Sequence, residues 1–314
     1  MDVHRLLEQW DLRPSKGLGQ NFLVDPAALE KIVAAAGLTP DDVVLEVGAG
    51  LGTLTRRLAQ EAGRVVAVEL DQRLIPVLES VLADLDNVTL VQGDILELDP
   101  TVLVNQGSGS REQGAGIREQ GPASRDHGPR TTDHGPRISI QPPTFNLQYK
   151  VVANLPYYIT SAVLRHLLEA ALKPQRMVLT VQREVAERIV AKPGQMSLLA
   201  VSVQFYGQPR LLFRLKPGSF YPSPEVESAV VRVDLHPTPP VPVEETAAFF
   251  RVVRAGFAQR RKQLRNTLAA GLKQPPEEVA DRLREVGVDP RQRAEALSLE
   301  EWARVAHVLG RLGI

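Results

Sequence analysis

The stretch Val43-Val44-Leu45-Glu46-Val47-Gly48-Ala49-Gly50-Leu51-Gly52-Thr53-Leu54-Thr55 decides how this chain folds. An apolar, β-branched run enters a glycine-rich turn, after which Leu54, Leu58 and Ala62 recur at helical spacing. Glycines permit a tight turn and let a ligand approach the backbone, and the amino terminus of the following helix favours a carboxylate or phosphate. The dinucleotide fingerprint requires a further glycine where Thr53 stands, so a pyrophosphate cradle is disfavoured. A second strand, Arg64-Val65-Val66-Ala67-Val68, ends in Glu69, at a spacing suited to a carboxylate that grips ribose hydroxyls. A third, Val88-Thr89-Leu90-Val91-Gln92, ends in Gly93-Asp94, where a carboxylate can accept the amino group of an adenine. The pattern predicts a doubly wound α/β sheet whose strand ends converge on one cleft.

Farther along, the strand-like run Lys150-Val151-Val152-Ala153 leads into Asn154-Leu155-Pro156-Tyr157-Tyr158. An exocyclic amine on a nucleobase is a poor nucleophile because its lone pair is spread into the ring. Two acceptors in a rigid corner draw that pair back onto nitrogen. The Asn154 side-chain oxygen and the Leu155 carbonyl are the candidate acceptors, with Pro156 stiffening the turn and biasing Leu155 toward an extended conformation. Tyr157 would supply a flat face for the base. Taken alone, the segment also reads as an ordinary strand–turn–helix connection with Asn as a turn former. The company of Glu69 and Asp94 favours the amine clamp.

With these pieces together, the chain resembles the ribosomal RNA adenine dimethyltransferase family of S-adenosylmethionine-dependent enzymes, the KsgA type. The likeness runs from Lys16-Gly17-Leu18-Gly19-Gln20-Asn21-Phe22-Leu23 through Phe220-Tyr221-Pro222-Ser223-Pro224-Glu225-Val226-Glu227-Ser228-Ala229-Val230-Val231-Arg232 into Arg260-Arg261-Lys262-Gln263-Leu264-Arg265-Asn266-Thr267-Leu268. It implies a Rossmann-like domain in which Asn21 and Leu23 lie beside S-adenosylmethionine, Gly48 approaches its methionine part, Glu69 holds the ribose and Asp94 the adenine. Asn154 would join the cofactor and catalytic sites, with Phe220 as a second aromatic wall opposite Tyr157. The implied substrate is a pair of adjacent adenosines near the 3′ end of small-subunit rRNA in an assembling subunit, each dimethylated at N6. Two other readings stand beside it: a macrolide-resistance methyltransferase acting on large-subunit RNA, and a noncatalytic RNA- or DNA-binding factor of the same fold. Gly19 and the basic run favour the small-subunit type, and the intact Asn154 motif argues against lost catalysis.

The 314 residues suit one α/β domain and a smaller partner, expected at 1–236 and 243–314. No run is long or uniform enough to span a membrane, and the start lacks a basic segment leading into an apolar core, so a cytoplasmic protein, expected as a monomer, is predicted. The absence of cysteine excludes disulfides and thiol catalysis, and the six histidines form no ligand pattern, so no metal is expected. The net charge of zero hides a lopsided distribution. From Arg251 to Lys273 there is no acidic residue, and Arg260, Arg261, Lys262 and Arg265 are the expected RNA-phosphate contacts.

Between the third strand and the Asn154 motif, units beginning at Arg111, Arg118, Arg125 and Thr132 repeat every seven residues with Gly fourth in each. Apolar a/d positions are missing and Gly and Pro recur, which predicts a disordered insertion at about 105–144 rather than a coiled coil. After Val233, the proline-rich Asp234–Pro242 reads as a linker. Helices are expected over Glu244 to Leu272, Pro276 to Val286 and Ser298 to Leu312.

Overall fold

In the computed structural model, residues 2–105, 148–243 and 245–310 are described. The heptad-spaced insertion lies outside them. Nine strands are present among the described residues: β1 (Phe22–Leu23), β2 (Val43–Val47), β3 (Arg64–Glu69), β4 (Val88–Gln92), β5 (Tyr149–Asn154), β6 (Arg176–Gln182), β7 (Gly207–Leu215), β8 (Phe220–Tyr221) and β9 (Ser228–Leu235). Seven form one sheet in the order β4-β3-β2-β5-β6-β9-β7, while β1 and β8 make a small antiparallel pair. Strands β2 to β6 run parallel, and β9 and β7 close one side antiparallel.

The parallel strands are apolar in runs because helices cover both faces of the sheet. Val151, Ala153 and Leu179 point into a core shared with Leu164 and Leu167 of the helix Thr160–Glu169. Val152 and Val178 point the other way, toward Ile32 of the helix Pro26–Ala36 and Leu58 of the helix Thr53–Glu61. This is the doubly wound α/β class expected from the strand pattern. The chain leaves β2 toward β3 and β4 on one side, whereas β5 and β6 lie on the other. At that reversal the carboxyl ends of β2 and β5 open a crevice, and it receives both Gly48 and Asn154.

The carboxyl-terminal region is helical, with helices Thr246–Phe257, Leu264–Leu272, Pro276–Glu285 and Leu299–Gly310. The single helix expected up to Leu272 is instead broken at 258–263. The reason is visible in the backbone bonds: Leu264 N–H donates to the Gln292 carbonyl at 2.8 Å and Arg265 N–H to the Pro290 carbonyl at 3.2 Å. Donors that a continuous helix would satisfy internally are taken by a loop from elsewhere in the fold. The helices close around Trp302, which is fully buried, and their core reaches Phe205 of the helix Leu198–Tyr206. Among the described residues no helix is long and apolar enough to cross a membrane.

Gly256 lies against Trp302 so closely that an added β-carbon would overlap the indole. Gly256→Ala should therefore destabilise the protein by about 1–3 kcal/mol through overpacking, despite the better helix propensity of alanine. Urea unfolding followed by tryptophan fluorescence checks this, and a stabilised variant would show that the two helices can separate at little cost.

Candidate active site

Gly48, Gly50 and Gly52 have φ of 76°, 60° and 78°, a region that side-chain-bearing residues rarely occupy. The turn they make folds back over β3, with the amides of Gly48 and Ala49 both donating to the Val68 carbonyl at 2.9 and 3.1 Å. A β-carbon on Gly50 would stand 3.2 Å from the ring of Phe22, so the glycine lets the amino-terminal segment close over the turn. Glu69, at the end of β3, is 6% exposed. Its Oε2 accepts from the Gly50 amide at 2.7 Å and its Oε1 from the Asp71 amide at 2.8 Å. Burial raises the Glu69 pKa above the ordinary carboxylate value, and the two amide donors oppose that shift. Each oxygen keeps further acceptor capacity, and Glu69 lines the cleft.

Asp71 continues the arrangement. Its Oδ2 accepts from Arg73 at 2.6 Å and from Gln20 Nε2 at 2.8 Å, and the Arg73 guanidinium holds its pKa down. Gln20 in turn accepts the Ser15 amide at 2.7 Å through Oε1. The segment before β1 is thus fastened to the turn after β3 by polar bonds. Gln20 was legible only as part of a motif, and Asp71 carried no periodic signal at all. Asp94 lines the same cleft, its Oδ1 accepting from the Leu96 amide at 2.9 Å, while Gly93 N–H donates to the Glu69 carbonyl at 2.9 Å.

Asn154 terminates β5, and its Nδ2 donates to the Asn21 carbonyl at 2.9 Å. A carbonyl can only accept, so the amide nitrogen must face it and Oδ1 is left for the cleft. Asn21 lines the cleft too and donates from its own Nδ2 to the Gly19 carbonyl at 3.1 Å. The Leu155 amide donates to the Thr180 carbonyl at 3.1 Å and its side chain is buried, which anchors the corner while its own carbonyl accepts no bond from the described residues. Tyr157 is held by a 2.6 Å bond between its hydroxyl and Ser228 Oγ, and burial pushes its phenol pKa up. Gly48, Glu69, Asp94, Asn21, Asn154, Leu155 and Tyr157 are therefore brought to one cleft, together with Leu70, Ile95 and Tyr158, which sequence reading did not select.

Two expected residues are not brought there. Leu23 and Phe220 face each other across the β1–β8 pair, 5% and 3% exposed, and pack in the core with Leu29 and Ile32. Neither residue is among those that line the cleft. The apolar packing of a paired strand claims both. The basic run is also placed differently from its expectation: Arg260, Arg261 and Lys262 occupy the exposed turn between two helices rather than one helical face. Arg265 lies in the first turn of the next helix, 3.6 Å from Glu277, a partner invisible in a local reading of charge.

The fold is of the doubly wound α/β class, and its cleft gathers the amide-braced Glu69 carboxylate, Asp94 and the oriented Asn154 amide. A family model described as ribosomal RNA adenine dimethylase matches residues 13–310, and the chain belongs to that family. A ribosomal RNA small subunit methyltransferase A of Dehalococcoides mccartyi is 42% identical over 300 residues, covering 96% of this chain and 90% of that one. The protein of the same name from Pelotomaculum thermopropionicum is 41% identical, covering 97% and 94%. Among solved structures, the 23S rRNA methyltransferase ErmE superposes with TM-score 0.64 at 26% identity, covering 92% of this chain and 99% of that one. A dimethyladenosine transferase from Plasmodium falciparum shares the fold with TM-score 0.66 at 21% identity, covering 90% and 95%. The chain is thus an rRNA adenine dimethyltransferase by family.

Beneath the glycine turn, Glu46 of β2 is 1% exposed and its Oε2 has no partner among the described residues. Burial raises its pKa to about 8, with the nearby Glu69 charge adding to the shift. Its folded pKa lies above the unfolded one, so the native state binds more protons between the ordinary carboxylate range and about 8, and stability falls as pH rises through that window. Glu46→Gln should remove this penalty. Urea unfolding of the ligand-free protein is expected to show the variant gaining stability over the parent from pH 5 to pH 8. An equal difference at both pH values would mean that Glu46 is ionised throughout.

Proposed function

We propose that this protein transfers methyl groups from S-adenosylmethionine to N6 of two adjacent adenosines near the 3′ end of small-subunit rRNA, dimethylating each within an assembling subunit. The observation that carries the reading is the fixed orientation of the Asn154 amide, whose nitrogen is committed to Asn21 and whose oxygen is left to accept an N–H from a substrate amine. The small-subunit assignment is supported by the curated relatives, 41% and 42% identical, against 26% for the large-subunit enzyme.

The cleft fits the cofactor class. Glycines with positive φ leave the backbone open at Gly48 and Gly50, and Glu69 offers a carboxylate already braced by two amides for a pair of ribose hydroxyls. Asp94 would accept the adenine amine, Gly48 and Asn21 would flank the methionine part, and Asn154 would border both sites. When bound, S-adenosylmethionine supplies an electrophilic methyl group. The chain's contribution is orientation and electrostatics: Asn154 Oδ1 and the Leu155 carbonyl accept the two N–H bonds of the target amine, and Tyr157 supports the base. The proton released on methylation passes to water. Arg260, Arg261 and Lys262, exposed in their turn, would seat RNA phosphate, with Arg265 a weaker contributor because Glu277 is beside it. The setting is cytoplasmic, with a monomer acting on a ribosomal particle.

Two substitutions separate binding from chemistry. Glu69→Ala should weaken S-adenosylmethionine binding by about 1.5–3 kcal/mol, measured by calorimetry. Unchanged affinity in the folded variant would remove Glu69 from the cofactor site. Asn154→Ala should slow single-turnover methylation of immature small subunits at least about a hundredfold at saturating cofactor and RNA. A rate near that of the parent would sink the clamp, and methylation of large rather than small subunits by the unaltered protein would redirect the substrate assignment.

A further inference from the structure

Tyr158 stands apart from its neighbours in the cleft. It is 59% exposed, among the few large apolar side chains left in water, whereas Tyr157 beside it is half-buried and tied to Ser228. The Tyr158 ring lines the rim of the cleft and its hydroxyl makes no bond with the described residues. One side of the ring is supported: a β-carbon on Gly19 would lie 3.3 Å from both Cδ1 and Cε1, and Gly19 itself has φ of 60°. Gly19 is therefore doubly constrained, by backbone conformation and by the ring laid along it. The ring thus runs close along Gly19 while more than half of the residue stays open to solvent.

An exposed aromatic fixed in this way is suited to stacking on a flat apolar ligand. The cofactor contacts proposed above rest on Glu69 and Asp94 and give Tyr158 no role. Tyr158 follows the Asn154-Leu155-Pro156-Tyr157 corner directly, so whatever stacks on it is adjacent to the amine held there. We propose that Tyr158 is a stacking platform for the nucleotide next to the target adenosine, a specificity-determining residue that holds the neighbouring base while its partner is methylated. This rests on the reading that the substrate is an adenosine in RNA. It goes beyond that reading by assigning a second base-binding position and giving the enzyme a physical reason to prefer a target with a stacked neighbour.

The test uses the full-length protein and small-subunit particles carrying either normal rRNA or rRNA with an abasic nucleotide immediately 5′ or 3′ of the target adenosine. Single-turnover methylation is measured at subsaturating RNA. With normal rRNA, Tyr158→Ala should lose about 5- to 150-fold, the range for deleting one base–aromatic stack. Tyr158→Phe should stay near the parent, because the ring and not the hydroxyl is used. With the appropriate abasic rRNA, parent and Tyr158→Ala should converge, since there is no base left to stack. An equal loss on normal and both abasic rRNAs, or no loss on any, overturns the proposal. Calorimetric S-adenosylmethionine affinity is read in parallel, and a loss there matching the loss in rate also overturns it. If the unaltered protein methylates none of these particles, the substrate assignment itself fails, a result distinct from failure of the stacking platform.

Discussion

The bond from Asn154 Nδ2 to the Asn21 carbonyl is the interaction on which the cleft depends. It joins the end of a central strand to a segment far away in sequence, and it decides which end of the Asn154 amide faces a ligand. An aspartate at this position would set a carboxylate oxygen against the carbonyl, acceptor against acceptor, and lose both the tether and the orientation. A second tether acts beside it, from Ser15 through Gln20 and Asp71 to Glu69. The amino-terminal segment is thus a structural wall of the site. Its motif residues are spent partly on holding themselves in place.

Concentrating carboxylates here has an electrostatic cost. Glu46 and Glu69 are both buried close to one another, and both have raised pKa values. Glu69 is compensated by two amides, which favour its charged form and hold both oxygens as acceptors. Glu46 lacks that support at Oε2 and is kept protonated near neutrality. Two adjacent strands therefore carry one carboxyl group braced by amides and one that sits in the fold as an acid. The difference comes from their neighbours.

The helical region shows how tertiary packing redirects a local pattern. Apolar spacing continues through the basic residues and would permit one long helix, but the amides of Leu264 and Arg265 are claimed by the 290–292 loop. The break turns a helical stripe of cations into an exposed corner at 260–262. Trp302 fixes the surrounding helices by filling the space left by Gly256.

By itself the sequence determined four strands of the sheet, the glycine turn and the residues Gly48, Glu69, Asp94 and Asn154 at their ends, because strand periodicity and turn chemistry are local and each of these follows an apolar run. Local charge marked the basic cluster, and family motifs added Asn21. Only the tertiary structure decided that Phe220 and Leu23 are spent on packing, since burial depends on which strand lies opposite and β1 meets β8 across most of the domain. It also decided the Gln20–Asp71 tether, the pairing of Arg265 with Glu277 and the exposure of Tyr158. Each of these is a distance between residues remote in the chain, set by how the layers pack, and no local pattern encodes such a distance.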